Sequence, residues 1–173
     1  LSVCVHAASR AGDIAGKRVL ITGAGPIGAL MVAVACYHGA SEVVVTDLAD
    51  AALTRAKAMG ASRTYNVAND AQALAGFEAG KGYFDLVFEC SAAAPAIRSA
   101  IATIRPRGTI VQVGVSGDVP IPLNAIVGKE LQLHGTQRFH EEFATAVDLI
   151  SSRKIDVRPI ISHSLPLEQA TAA

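Results

Sequence analysis

Residues 18–38 read RVLITGAGPIGALMVAVACYH, and this stretch decides the fold. An apolar run over 19–21 predicts a strand buried on both faces, and apolar residues from Ile27 onward recur at helical spacing. Between them lies Gly23-Ala24-Gly25-Pro26-Ile27-Gly28, with glycines in the spacing GxGxxG. Such glycines allow a tight turn, close approach of the backbone to a pyrophosphate, and tight packing of helix on sheet. The N-terminus of the following helix favours negative charge, so the stretch predicts a dinucleotide site.

An acidic residue ends the next predicted strand. The β-branched run over 42–46 leads into Asp47, ~20 residues after Gly28, where a carboxylate can accept hydrogen bonds from the adenosine ribose. Because such a carboxylate repels a 2′-phosphate, the residues favour NAD over NADP. GxGxxG alone is weak evidence, since methyltransferases that bind an adenosyl group also carry it. Structural alternatives are that the glycines merely form a turn and that Asp47 caps a helix.

Composition narrows the class of protein. The chain has 173 residues, of which 51% are hydrophobic and 17% charged, so it can bury the core of one domain. Lys plus Arg equals Asp plus Glu, 15 against 15, and this balance makes nucleic acid an unexpected partner. Glycines and Pro26 interrupt the uncharged stretch over 19–36, so we expect a strand and a helix there and no membrane span. The cysteines lack CxxC spacing and no cleavable signal is visible, which predicts a reduced cytoplasmic protein.

Strands and helices alternate along the chain. Further strands are predicted at 63–67, 83–89, 109–113, 130–134 and 159–164, and helices at 50–59, 69–80, 95–104, 143–150 and 165–173. This alternation predicts a Rossmann-type α/β fold, a doubly wound parallel sheet of about six strands with helices on both faces. Ligands of such sheets bind at the carboxyl ends of the strands. Besides the glycine turn and Asp47, the residues expected there are Cys90, Ser91, Gly114 and Val115.

Several single residues allow two interpretations. Glu89 is a possible general base, although an acid at a strand end is commonly solvated. Cys90 is better explained by packing than by nucleophilic chemistry, because no histidine is adjacent in sequence. Ser91 is either a cofactor contact or the start of a turn. Arg138 could hold a cofactor phosphate or a polyhydroxy substrate, or form a surface salt bridge.

The first residues predict a helix that links this domain to another one. Residues 1–11 are apolar and compatible with a helix, and we expect 1–16 to be a linker helix arriving from an upstream catalytic domain. Residues 17–173 would then form the NAD(P)-binding Rossmann domain. Cys4 and His6 are too few to complete a zinc site, so packing or surface placement is expected for both.

Five stretches together resemble one family. They are GKRVLITGAGPIGALMV, VVVTDLADAALTRAKAMGA, GYFDLVFECS, RGTIVQVG and GKELQLHGTQRFHEEFATAVDLI, and they span nearly the whole chain. In this order they resemble the cofactor domain of the zinc-containing medium-chain alcohol and polyol dehydrogenases. The resemblance implies NAD(P)-dependent hydride transfer from a secondary alcohol of a sugar acid or polyol, and a homodimer.

The resemblance also implies which residues meet the ligands. Cofactor contacts are expected at Gly23, Gly25, Pro26, Ile27, Gly28, Asp47, Leu48, Cys90, Ser91, Val113, Gly114, Val115 and Gln137. Substrate contacts are expected at Arg138 and Phe139. Relatives can carry an arginine five residues after the ribose acid, where this chain has Ala52, with Arg55 one turn later. The preference between NAD and NADP therefore stays open.

Catalysis is expected to lie outside this sequence. In similar enzymes a separate preceding domain supplies the ligands of the catalytic zinc, so we expect the isolated chain to bind cofactor without turning over substrate. No catalytic or metal-binding residue is assigned within it. Two other functions remain as alternatives: an NAD-sensing module without catalysis, and a methyltransferase-like domain that binds S-adenosylmethionine.

Overall fold

Six parallel strands form the centre of the part of the chain that the structure describes, in the order β3-β2-β1-β4-β5-β6. The computed structural model describes residues 1–70 and 72–172, with side chains described through residue 169. The strands are β1 (Arg18–Thr22), β2 (Glu42–Asp47), β3 (Arg63–Asn66), β4 (Phe84–Glu89), β5 (Ile104–Gln112) and β6 (Gln132–Gly135). The predicted doubly wound α/β fold is confirmed.

Helices cover both faces of this sheet. They are α1 (Ser2–Ala11), α2 (Pro26–Tyr37), α3 (Asp50–Ala58), α4 (Ala94–Thr103), α5 (Leu123–Gly128) and α6 (Glu142–Ser151). Successive strand residues point to opposite faces, so Val19 and Ile21 pack with α1, α2, α3 and α6, whereas Leu20 packs with α4. None of the helices in the described residues is long and apolar enough to cross a membrane.

The strand register brings the carboxyl ends of the central strands level with one another. Thr22 at the end of β1 lies opposite Thr46 of β2 and Glu89 of β4. Glu89 in turn lies opposite Gln112 of β5. The loops that leave these strands therefore start at one edge, where a doubly wound sheet binds ligands.

The predicted helix over 95–104 ends one residue early. Ile104 has extended backbone (φ −75°, ψ 139°) and begins β5, pairing with Phe84. Pro106 disfavours helical backbone at Arg105, the residue before it, and has no N–H to donate. The pairing shifts between Phe84 and Leu86, so β5 begins before the strand predicted at 109–113.

The weaker segments differ more from the prediction. The helix predicted over 69–80 is wrong for the described residues, which form 3₁₀ turns at Ala75–Phe77 and Ala79–Lys81; residue 71 lies outside them. The strand predicted over 159–164 is wrong, because a 3₁₀ turn at Arg158–Ile160 precedes irregular backbone. A 3₁₀ helix at Leu167–Ala172 stands where a helix over 165–173 was expected, and residue 173 lies outside the described residues.

Two helix starts differ from what the sequence suggests: Asp50 is a possible N-cap for the helix predicted over 50–59, and no helix is predicted between the strands at 109–113 and 130–134. Asp50 does not cap α3: Ala49 is the N-cap residue, and Asp50 accepts a hydrogen bond from Asn66 Nδ2 at 2.6 Å. The helix α5 was not predicted, because the proline-rich segment before it hid its start.

Helix α6 turns part of its apolar surface outward. The helical spacing of Phe143, Ala146, Val147 and Ile150 predicts that these residues form the buried stripe. Ala146 is buried, but Phe143 and Val147 are 59% and 50% exposed, and Leu149 supplies the second buried position. The buried face is therefore rotated from the predicted stripe. Periodicity alone could not show this, since apolar residues occupy both sides of the helix.

Helix α1 is fixed to α6 by a polar contact as well as by packing. Cys4 is fully buried and its Sγ lies 3.4 Å from the Ile27 carbonyl oxygen, so it is a packing residue. His6 Nδ1 lies 2.8 Å from Glu142 Oε1, and the His140 N–H donates to Glu142 Oε2 at 2.7 Å. The side-chain hydrogen bond from His6 is the main cause that lowers the pKa of Glu142 from 4.5 to about 2.

This contact makes stability depend on pH in the acid range. A carboxyl group whose pKa falls on folding stabilises the fold above its ordinary pKa, and that stabilisation is lost as pH falls through the folded value. We expect Glu142→Gln to lower the melting temperature at pH 7, with the difference from the parent chain shrinking below pH 4.5 and vanishing near pH 2. Thermal melts across pH measure this.

The neighbouring exposed residue supplies a matched control. Glu141→Gln changes the same charge one position away and is expected to leave the melting temperature unchanged. A Glu142→Gln effect that stays constant from pH 7 down to pH 2 would contradict the assigned role of this carboxylate.

Candidate cofactor site

The glycine turn joins β1 to α2 with no room for side chains at two positions. Gly23 has φ +85° and donates its N–H to the Thr46 carbonyl at 2.8 Å. A Cβ on Gly28 would lie 1.8 Å from the Gly23 carbonyl oxygen. Gly25 is the N-cap residue of α2 and no side chain caps it. Pro26 has no N–H, so Ile27 supplies the first N–H group of the helix that can meet a ligand. The backbone thus forms the cradle that GxGxxG predicts.

Asp47 is tied to this turn. Its Oδ2 accepts the Ala24 N–H at 2.6 Å, and its Oδ1 accepts the Ala49 N–H at 2.9 Å. These contacts hold the carboxylate at the carboxyl end of β2, while the adjacent Leu48 side chain is 68% exposed. The sequence predicted the acid here but not its hydrogen bond to the turn.

A cleft of 580 Å³ opens beside these residues. Its walls include Gly23, Asp47, Leu48 and Ser91 from the predicted set, together with Gln72 from the segment after β3. The size and the mixed polar and apolar walls are typical of small-molecule sites. Four predicted residues from three separate strand ends therefore share one cleft.

Glu89 is the largest departure from the sequence prediction. It is fully buried, not solvated, and its carboxylate accepts hydrogen bonds from neighbouring strands and from the loop after β4. Those donors are Thr22 Oγ1 (3.1 Å), Ser91 N (3.0 Å), Ser91 Oγ, Ala92 N (3.0 Å) and Gln112 Nε2. A fully buried side chain touches no bulk solvent, so the expectation that Glu89 is a solvated acid at a strand end is wrong.

The loop after β4 follows from this network. Ser91 directs its hydroxyl to Glu89 and accepts the Ala93 N–H at 3.2 Å, which supports the turn interpretation of Ser91. Ala92 adopts φ +58°, a left-handed conformation uncommon for a residue with a side chain. Burial raises the pKa of the Cys90 thiol well above 9.0, so this cysteine is a packing residue and not a nucleophile.

The loop after β5 is hydrogen-bonded to β4 at Glu89. The N–H groups of Val113 and Gly114 both donate to the Glu89 carbonyl at 2.8 Å. Gly114 packs so closely on the preceding loop that a Cβ there would lie 2.5 Å from Ala92 N. Val115 projects outward and is 82% exposed.

A second cavity of 390 Å³ lies on this side of the sheet. Glu89, Gln112 and Val115 line it, together with Gly135 and Thr136 at the end of β6. Thr136 Oγ1 is buried and has no hydrogen-bond partner among the described residues. A buried hydroxyl without a partner is costly, and a polar ligand group in this cavity would satisfy it.

The remaining predicted residues follow β6 on the surface. Gln137, Arg138 and Phe139 are exposed, and the Phe139 ring stacks on Phe143 at 5.9 Å between centroids. Arg138 has φ +53° and forms no ion pair with an acid in the described part of the chain. The structure therefore places these three residues beyond the second cavity, and brings the other predicted residues to the strand ends.

Comparison with known proteins identifies related sequences. Residues 26–152 match the family model described as zinc-binding dehydrogenase. The chain is 40% identical to L-idonate 5-dehydrogenase (NAD(P)(+)) of Escherichia coli K12, across 98% of this chain and 50% of that protein. It is 39% identical to sorbitol dehydrogenase 1 of Saccharomyces cerevisiae, across the full chain and 51% of that protein. The chain thus spans about half the length of these relatives.

Solved structures share the fold closely. The crystal structure of the E. coli L-idonate 5-dehydrogenase superposes with a TM-score of 0.88 over 91% of this chain and 45% of that one. A zinc-binding dehydrogenase of Sinorhizobium meliloti bound to NADP gives 0.88 at 28% identity, over 99% of this chain and 52% of that one. An alcohol dehydrogenase of E. coli CFT073 in complex with NADH gives a TM-score of 0.88 at 25% identity, over 99% of this chain and 51% of that one.

Proposed function

Because this chain belongs to the zinc-binding dehydrogenase family, we propose that it is the NAD(P)-binding domain of an oxidoreductase similar to L-idonate 5-dehydrogenase. In that enzyme hydride would pass between a secondary alcohol of a sugar acid or polyol and the nicotinamide ring, which the bound cofactor supplies. Residues 17–173 would form the binding domain and residues 1–16 the linker helix. We also propose a homodimeric, cytoplasmic enzyme.

The observation that carries this proposal is the glycine turn beside Asp47. Gly28 admits no side chain, and Asp47 is held by the Ala24 N–H at the mouth of the 580 Å³ cleft. In the proposed complex the pyrophosphate lies on the N-terminus of α2 and the adenosine ribose lies on Asp47. The nicotinamide end then extends toward Val113–Val115 and Gln137, and Arg138 and Phe139 face the substrate.

The orphaned Thr136 hydroxyl agrees with this direction of binding. It lies in the second cavity, at the end of β6. A polar group at the nicotinamide end would satisfy it, just as the N–H groups of α2 would be satisfied by phosphate oxygens. The described residues therefore fit a dinucleotide both at the glycine turn and at the second cavity.

Zinc does not fit the described residues in the same way. No group of three or more His, Cys, Asp or Glu side chains among them is arranged to hold a metal ion. We propose that this chain binds NAD(P) and does not oxidise alcohols by itself.

Calorimetric titration of the parent chain and of its Asp47→Ala variant with NAD⁺ and NADP⁺ tests the proposal. Loss of the ribose acceptor is expected to weaken NAD⁺ binding by about tenfold or more, since hydrogen bonds to charged groups contribute about 1.5–3 kcal/mol. NADP⁺ is expected to lose less, because the variant also removes repulsion of its 2′-phosphate. Asp148→Asn, on the exposed surface of α6, is the control and should change neither affinity.

Each outcome has a separate meaning. If Asp47→Ala weakens NAD⁺ and NADP⁺ equally, the carboxylate supports the turn and does not contact the ribose. If neither cofactor binds the parent chain, the dinucleotide assignment fails. Displacement of NAD⁺ by S-adenosylmethionine would favour the methyltransferase alternative, and assembly that depends on NAD⁺ would favour the sensing module.

A further inference from the structure

Glu89 is a buried carboxylate that has no cationic partner among the described residues. The side chain is fully buried, and no Lys, Arg or His in the described residues forms an ion pair with it. The N–H groups of Ser91, Ala92 and Gln112 point at its two oxygens instead. Such donors stabilise the charge by their dipoles but do not cancel it.

The position of this charge is central to the ligand edge. Glu89 ends β4, between β1 and β5, and lines the 390 Å³ cavity with Val115 and Thr136. Ile97, Ile101 and Ile110 make much of the remaining wall apolar. A buried charge among apolar walls is screened weakly by solvent and acts over a longer distance than a surface charge.

We propose that Glu89 is a specificity residue that favours the oxidised cofactor over the reduced cofactor. This inference rests on the proposed function, which places the nicotinamide end in this cavity. Oxidised and reduced cofactor share the same pyrophosphate and riboses, but the oxidised nicotinamide ring carries one positive charge that the reduced ring lacks. The carboxylate attracts the charged ring without touching it, so the site holds NAD⁺ more tightly and releases NADH more readily.

Titration of the full chain and its Glu89→Gln variant with NAD⁺, NADH and ADP-ribose tests this. Glutamine keeps the shape and one acceptor oxygen but removes the charge. We expect the variant to lose about tenfold in affinity for NAD⁺ relative to NADH, the size of effect that one charge exerts across several ångströms of protein. ADP-ribose has no nicotinamide ring, so its affinity should change as little as the affinity for NADH.

Two further variants separate charge from shape. Gln112→Ala removes one donor to Glu89 and keeps the charge, so the ratio of NAD⁺ to NADH affinity should stay at the parent value. Glu89→Asp also keeps the charge and should preserve the ratio even if both affinities fall. The titrations are run with sucrose, which favours the compact state, so that each variant is folded when it is measured.

The outcomes distinguish this inference from the proposed function. Equal loss of NAD⁺ and NADH affinity in Glu89→Gln would show a purely structural carboxylate and would overturn the inference. The same change of ratio in Gln112→Ala would overturn it too. If the parent chain binds none of the three probes, the proposed function itself is wrong.

Discussion

Replacing Gly28 by alanine is expected to unfold the glycine turn and to abolish cofactor binding. The new Cβ would lie 1.8 Å from the Gly23 carbonyl oxygen and 2.8 Å from its carbonyl carbon, both backbone atoms. Gly23 cannot move aside easily, because its N–H donates to the Thr46 carbonyl and it packs closely on Ser91. A Cβ added at Gly23 would lie only 3.0 Å from Ser91. We expect a loss of about 3 kcal/mol in the free energy of unfolding, measured by urea denaturation.

Gly25 provides the matched control in the same turn. A Cβ there would meet nothing within 4 Å, and its φ of −60° suits any residue. Gly25→Ala should therefore keep the parent stability while it weakens NAD⁺ binding, because the methyl group would occupy the approach of the pyrophosphate. Parent-like stability in Gly28→Ala would show that the turn is more open than the structure indicates.

Glu89→Leu is expected to have the second large effect, about 4 kcal/mol of lost stability. Leucine has similar volume but accepts no hydrogen bond, so the N–H groups of Ser91 and Ala92 and the Gln112 amide would lose their buried acceptor. Since a domain of this kind is typically stable by only about 5–15 kcal/mol, the variant should melt far below the parent. Denaturant unfolding and thermal melts both measure this loss.

Removing a single donor to Glu89 should cost less stability than removing the carboxylate. Thr22→Val removes one hydroxyl bond to Glu89 (3.1 Å) and leaves the other donors in place, so we expect about 1 kcal/mol. A Glu89→Leu chain as stable as Thr22→Val would mean that the loop donors find other acceptors, and that this carboxylate does not organise the edge.

Much of the ligand edge was predictable because its signals are local. The strand, the glycine turn and α2 are contiguous in sequence, and Asp47 follows a β-branched run. The acid at 89 was also visible, but its environment was not. Two of its donors, Thr22 and Gln112, lie 67 and 23 positions away in sequence, and only the strand order brings them to Glu89.

The errors in the fold have the same physical origin. Ile104 continues the apolar spacing of α4, yet pairing with Phe84 draws it into β5. Phe143 and Val147 continue the apolar spacing of α6, yet contact with α1 fixes the helix with Ala146 and Leu149 inward. Periodicity shows that a face is apolar, whereas tertiary contacts decide which face is covered.

The pairing of β1 with β4 has a consequence for how the chain reaches this structure. Thr22 and Glu89 are adjacent in the sheet but 67 positions apart in sequence, and the edge forms only when both strands are present. Contacts of such long sequence separation slow folding, because the intervening chain must be ordered first. On the ribosome, the glycine turn would therefore emerge before β4 and stay without its final partners until β4 has been synthesised.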